Sequence, residues 1–292
     1  MLILAAAVWG LGTIAIKDSV GNVPPSWIVG LRFTLGGLVL LAIYIKPFLK
    51  HVTKKALIHG FILGIFIALS YLFNGEGLAH TTASNSSFLT ATYCVITPFL
   101  AWAISRARPT RWNLLAAVLC ISGIGFISLV GNMDGFSIGY GDAITLASAI
   151  WIGLHLVLQA KFSLQSDPMT LTTTQFIVAG VLSSIFAFFT EGAPDVQAIS
   201  DPTFIRNILY LAVCAGCISL SLQNIGLAHV PAGPASLLLA TESVFGVIFS
   251  ILLLGEVVTL PMLVGFALIS ASIVVSETFP LKKKRLENPD AQ

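Results

Sequence analysis

Several stripes of polar and aromatic residues run through otherwise apolar sequence at helical spacing. Trp9, Thr13 and Lys17 stand four apart, and Trp151, His155 and Gln159 repeat that step with Ser148 a turn earlier; residues three or four apart share one helix face. Ser86, Thr90, Tyr93 and Thr97 form a further stripe, Tyr71 and Asn74 another, and Ser221, Gln223 and Asn224 cluster later in the chain. Glu242 and Arg32 are charges set deep in apolar segments. Aromatic walls with a few hydrogen-bonding groups and a carboxylate suit reversible binding of a small molecule that is part polar and part apolar. Covalent catalysis is not indicated, because no nucleophile is spaced with a base and no His/Asp/Glu cluster has metal-ligand spacing. No cofactor and no metal is expected.

Each candidate also has a structural use. Trp27, Trp102 and Trp112 lie at segment ends and suit an interfacial belt, whereas Trp9 and Trp151 lie deeper and are read as cavity-lining. His155 is either an imidazole bonded to a neighbouring helix or a proton carrier. Glu242 falls near mid-segment, where an ionised carboxyl costs roughly 2.5 to 3.5 kcal/mol. It must be protonated, paired or turned to a wet cavity, and it either pins its helix to a neighbour or meets a substrate amine or a proton. Arg32 either snorkels outward, pairs with Glu242 or a carbonyl, or takes a substrate carboxylate. Cys94, Cys120, Cys214 and Cys217 all sit in apolar runs and are read as small packing residues, although Cys214 and Cys217 have the spacing of a redox pair.

The elements that must position these residues are membrane helices. The chain is 56% hydrophobic and 10% charged, with a mean hydropathy of +0.93, against about 25% charged residues in a soluble domain. That composition excludes a water-soluble domain, and the net charge of +2 gives no argument for nucleic acid. The first run follows Met1 without a basic segment or cleavage pattern and is read as a retained span. Apolar runs predict ten helices, at about 2–18, 26–45, 56–75, 82–104, 112–131, 140–161, 170–190, 205–223, 231–254 and 259–277. A basic loop at 46–55 and prolines including Pro24, Pro109, Pro168, Pro202, Pro231 and Pro261 separate them.

The chain is also duplicated. Residues 77–92 lie on 226–241 at a constant offset of 149, with nine of sixteen positions identical, including Gly77-Leu78-Ala79-His80 and Gly226-Leu227-Ala228-His229. Trp9 matches Trp151, Phe33 and Gly37 match Phe176 and Gly180, Asn74 falls opposite Gln223, and Tyr93 falls opposite Glu242. Lys46, Lys50, Lys54, Lys55, Arg106, Arg108, Arg111, Lys161 and the tail Lys282 to Arg285 lie on one predicted side, against Lys17 and Arg206 on the other, which puts both termini in the cytoplasm. Five spans per half is an odd number, so the second half enters from the opposite face. The expected fold is an all-α membrane protein of ten transmembrane helices, arranged as two inverted five-helix repeats (1–133 and 134–278) around a central cavity, with a basic tail at 279–292.

Trp9-Gly10 with Lys17, Arg32-Phe33, the Ala/Ser-rich segment after Gly-Leu-Ala-His, and Thr241-Glu242-Ser243-Val244 leading to Leu254-Gly255-Glu256 and Gly265 resemble the EamA repeats of the drug/metabolite transporter superfamily. The resemblance spans residues 3–277. Arg106-Ala107-Arg108 stands where the first repeat would end in Leu-Gly-Glu, and no proline follows Glu242. The resemblance implies an exporter of the aromatic-amino-acid type, with the first, third, fourth, sixth, eighth and ninth helices around the cavity and the fifth and tenth outside it. Small residues on those two, such as Gly123 and Gly265, read independently as packing faces. The expectation is an inner-membrane carrier that rocks its halves about a central site and works as a monomer among membrane lipids. Its substrate is a small molecule, an amino acid or related metabolite, and facilitated diffusion is favoured over proton coupling. Export of lipophilic cations with Glu242 as counter-charge is the alternative.

Overall fold

The computed structural model of the 292-residue chain describes residues 1–106, 108–127, 138–220, 222–223 and 238–287, with side chains for all of these except 105 and 279–287. Every regular element among them is helical. Seven helices are long and apolar enough to cross a membrane: α1 (Leu2–Ser19), α2 (Pro25–His51), α3 (Lys54–Ala79), α4 (Ala83–Ile104), α6 (Tyr140–Ser163), α7 (Pro168–Glu191) and α10 (Leu260–Glu287, apolar to Thr278). Three shorter apolar helices lie between them, α5 (Arg111–Gly125), α8 (Pro202–Ile218) and α9 (Leu238–Leu254), and a four-residue helical turn, Val196–Ile199, precedes α8. Helices satisfy every backbone group internally, which lipid demands. Ile43, Ile121, Phe189 and Leu252 stay exposed on outward faces, as lipid-facing side chains do.

Local chemistry sets the starts. Pro168 and Pro202 occupy first-turn positions where no amide partner is needed, and Asp167 and Asp201 cap the amides behind them. Thr110 and Asn113 form a reciprocal capping box on α5.

Some boundaries differ from the periodic reading. Helix α2 runs through Pro47 to His51, so Lys46 and Lys50 ride its last turns instead of a loop. Helix α10 continues through the start of the predicted tail to Glu287. Tyr210–Ile218 and Ser250–Leu254 are wound as π-helix, a geometry that a 3.6-residue period does not reveal. The fifth helix's predicted end at 128–131, Ser221, Asn224, His229 and the predicted start of the ninth helix lie outside the described residues.

Glycines set the close crossings. A Cβ at Gly37 of α2 would lie 2.8 Å from the Ile177 side chain of α7, and Gly180 of α7 faces Thr34 of α2 in return. Gly123 of α5 faces Ile269 of α10, while Gly265 faces Ile127. Several helix pairings recur when each first-half helix is exchanged for the one five places later. Helices α2·α7, α4·α9 and α5·α10 pair with their own counterparts; α1·α9 answers α4·α6, α1·α8 answers α3·α6, and α2·α8 answers α3·α7.

Candidate functional site

Two helix breaks, one in each half, define the centre. Thr92 interrupts α4 with φ −61° and ψ −15°, and Thr241 interrupts α9 with φ −63° and ψ −10°. Each hydroxyl donates to the carbonyl three residues back, Thr92 to Leu89 at 2.6 Å and Thr241 to Leu238 at 2.5 Å. A hydroxyl bonded back to the main chain competes with the ladder and bends the helix. The two threonines are counterparts at the 149 offset, as are the leucines that accept from them. The shared identity of the two threonines at the 149 offset is the sequence signal for the interruption. Directly after each break come Tyr93 and Glu242.

Around Glu242 the structure gathers Arg32, Tyr71 and Tyr93. Arg32 does not snorkel: it points inward from the first third of α2 and is only 7% exposed. Its guanidinium carbon lies 4.6 Å from the Tyr71 ring centroid and 5.0 Å from that of Phe33. Phe33 meets Tyr71 edge-on at 4.9 Å and Phe176 at 5.0 Å. Glu242 interacts electrostatically with Arg32, Tyr71 and Tyr93, yet among the described residues no carboxylate comes within ion-pair distance of Arg32. Tyr71, Tyr93 and Glu242 remain half-buried.

The other sequence-predicted residues divide. Asn74 of α3 donates to Thr90 of α4 at 2.8 Å. Trp151 lies between Phe66 and Phe73 of α3, at 6.1 and 6.2 Å. Trp9 donates its indole N–H to the Ala215 carbonyl of α8 at 2.8 Å, and Ala215 is the 149-offset counterpart of Phe66. Next to Trp9, Gly10 is pressed against Phe245 and Gly246 of α9, whose counterparts Ile96 and Thr97 face Gly153 of α6. His155 is 2.8 Å from the Gln175 side chain of α7, a bond between neighbouring helices. Ser86 is buried in α4, while Thr13 and Gln223 are half-buried on α1 and at the end of the described part of α8.

At the end of the bundle where α1 and α3 finish and α4 begins, a polar latch ties the helices together. Lys17 donates to the Leu78 and Thr81 carbonyls at 2.8 and 2.6 Å, Thr81 donates to Asp142 of α6 at 2.5 Å, and Glu256 accepts the Ala83 and Ser84 amides at 2.6 and 3.0 Å. Glu256 reaches this turn because Gly255 adopts φ +67°, which a side chain would strain. Lys17, the last member of the Trp9/Thr13 stripe, and Glu256, of the Leu254-Gly255-Glu256 motif, thus meet the same turn between α3 and α4. Nearby, a cavity of about 420 Å³ between α1, α8 and the end of α9 is lined by Leu11, Ile14, Asp18, Arg206, Tyr210 and Leu254; it contains none of the predicted site residues.

With this geometry in place, the model of the EamA-like transporter family matches residues 1–129 and again 139–278. The chain belongs to that family. An Archaeoglobus fulgidus protein named "Uncharacterized transporter" is 30% identical over 94% of this chain and 84% of its own length. The Bacillus subtilis "Uncharacterized transporter YetK" is 26% identical over 99% of this chain and 88% of its own. In the fold, a crystal structure 17% identical superimposes with a TM-score of 0.65 over 98% of each chain.

As an EamA-like transporter the protein is a multi-pass membrane protein whose family moves small molecules. Its cysteines sit in packing positions, with Cys94 and Cys120 buried in the α4–α5–α10 core and the Cys217 thiol turned to the Ala212 and Gly36 carbonyls.

Proposed function

We propose that this EamA-like transporter is a secondary carrier of the bacterial inner membrane that exports amino acids with apolar or aromatic side chains, or related small metabolites, by alternating access. Its halves, 1–133 and 134–278, are read as inverted five-helix repeats rocking about a central cavity, with both termini and the basic tail in the cytoplasm. The observation that carries this reading is the doubled threonine interruption, followed directly by Tyr93 in one half and by Glu242 in the other. Interrupted helices at a repeat interface are where secondary transporters build their sites. The recurring helix pairs, the two family matches and the twelve-to-two split of Lys and Arg support the same architecture and orientation.

In this reading Tyr71, Tyr93, Trp9 and Trp151 wall the apolar part of the substrate, Glu242 meets its ammonium, and Thr13, Asn74, Ser86, Thr90, His155 and Gln223 line the remainder. Uncoupled export by a monomer is favoured, because His155 is engaged by Gln175 and Glu242 faces a fixed cation. Lipophilic cations fit less well: Arg32 offsets the carboxylate that would attract them. The latch of Lys17 and Glu256 supports a resting state closed at the outer end.

Counterflow by the purified full chain in liposomes, against labelled amino acids, quaternary amines and sugar phosphates, tests the reading. Selective uptake of amino acids is expected, and Trp151→Ala is expected to lower it sharply in folded protein. Uptake of quaternary amines alone would overturn it in favour of drug export.

A further inference from the structure

Arg32 is an unusual group to find in the middle of an apolar bundle. It is 7% exposed, its charge lies against two aromatic faces, and the carboxylates of the described ion pairs are elsewhere, at Glu76 and Asp18. Stacking on rings offsets part of the desolvation of a guanidinium but leaves its fork of donors without a planar acceptor, the partner for which that geometry is suited. Across from it, Glu242 is close enough to interact with Arg32 yet more than 4.0 Å away.

Building on the amino-acid reading above, we infer that Arg32 and Glu242 are the two ends of a zwitterion receptor, in which Arg32 takes the α-carboxylate and Glu242 the α-ammonium. The two side chains come from different halves, α2 and α9, so a ligand that bridges them joins the halves. The Tyr71 and Phe33 rings cover the guanidinium face, so a carboxylate would receive the Arg32 donors at the guanidinium's free edge, in its plane. The empty site carries one positive and one negative charge and the occupied one two of each, so the net charge is zero in both. Neither form moves net charge, so a carrier of this kind can return empty without an ion. An anion alone would leave its charge beside Glu242, and a cation alone would leave its charge beside Arg32, so both are rejected by unpaired charge in a low-dielectric site.

The test compares, in counterflow with the full chain in liposomes, phenylalanine, leucine and threonine with their amides, which lack the carboxylate, and with their deaminated acids, which lack the ammonium. The parent protein is expected to prefer each moved zwitterion over both analogues by at least about tenfold, at a rate unaffected by an imposed valinomycin potential. Arg32→Gln is expected to erase the preference over the amide, and Glu242→Gln the preference over the acid. Where either variant does not fold, the parent's ratios and a ligand-induced rise in Tm in detergent, present with the zwitterion and absent with its amide, decide alone. Flux of amino acids with amides moved equally well, or an unchanged ratio in Arg32→Gln, overturns this inference and leaves amino-acid export standing. No flux of any probe overturns both.

Discussion

Glu256, at the end of α9, lies across the first turn of α4 and accepts both the amide and the hydroxyl of Ser84, at 3.0 and 2.6 Å. A carboxylate at a helix N-terminus is favoured by the orphan amides and the dipole there, and this one comes from the opposite half of the chain. The contact therefore ties the two halves together at this end of the bundle.

Breaking it is expected to release that end. Glu256→Ala removes charge-assisted bonds, and a loss of about 1.4 kcal/mol changes a two-state population about tenfold. Ser87→Cys, on α4 beneath Gly246, placed in a background without the native cysteines, should then react with an impermeant maleimide about tenfold faster than in the Glu256 parent. Equal rates would show that the contact does not gate the site.

The threonine breaks give a paired prediction. Thr92→Val and Thr241→Val keep the shape and remove the hydroxyls bonded to Leu89 and Leu238. Each should straighten its helix and turn Tyr93 or Glu242 off its present bearing, lowering flux several-fold in both variants with Tm changed by the equivalent of about 1 kcal/mol or less. Full flux in either variant would separate the break from transport.

Most of the framework was legible because lipid allows few solutions. Apolar run length placed α1, α3, α6 and α7 within a few residues, and duplication aligned Trp9 with Trp151 and Tyr93 with Glu242. What escaped depends on pairings between distant residues. The bond of Trp9 to Ala215 and the caging of Arg32 by Tyr71 and Phe33 leave no trace in spacing along one helix. His155 and Trp151 share a predicted stripe, yet one faces α7 and the other α3, since a helix packed between two neighbours divides a single broad face between them. The stripe that holds Lys17 and the motif that holds Glu256 do not name the backbone groups that each meets, because spacing along one segment does not record a partner on another.

The peripheral pair α5·α10 should respond differently from the centre. A Cβ at Gly123 would lie 2.7 Å from the Ile269 side chain and 2.8 Å from the Gly265 carbonyl, so the backbone must move. Gly123→Ala is expected to cost about 1 to 3 kcal/mol while the folded fraction transports normally. Gly12→Ala on α1, where the nearest atoms are 3.6 and 3.7 Å away, fits without displacement and should leave Tm close to the parent's. Loss of flux per folded molecule in Gly123→Ala would place α5·α10 in the transport cycle.

Asp167 offers a pH-dependent test outside the spans. Its carboxylate caps α7 by accepting the Thr170 amide and hydroxyl, both at 2.8 Å, and accepts the Tyr44 hydroxyl at 3.2 Å. Burial pushes the group upward, but these bonds more than offset it, and it sits below the ordinary value of 3.8. A carboxylate depressed by folding stabilises the fold above that ordinary value and loses the contribution as pH falls through its own lower one. Asp167→Ala should therefore lower Tm at pH 7, by the equivalent of about 0.5 to 2 kcal/mol for a lost cap, and the gap between parent and variant should narrow below pH 3.8. Asp167→Asn keeps a capping oxygen without a titrating charge, so its Tm should follow pH less steeply than the parent's through that range. A gap of constant size from pH 7 to the acid limit would mean that the cap stabilises α7 through shape alone.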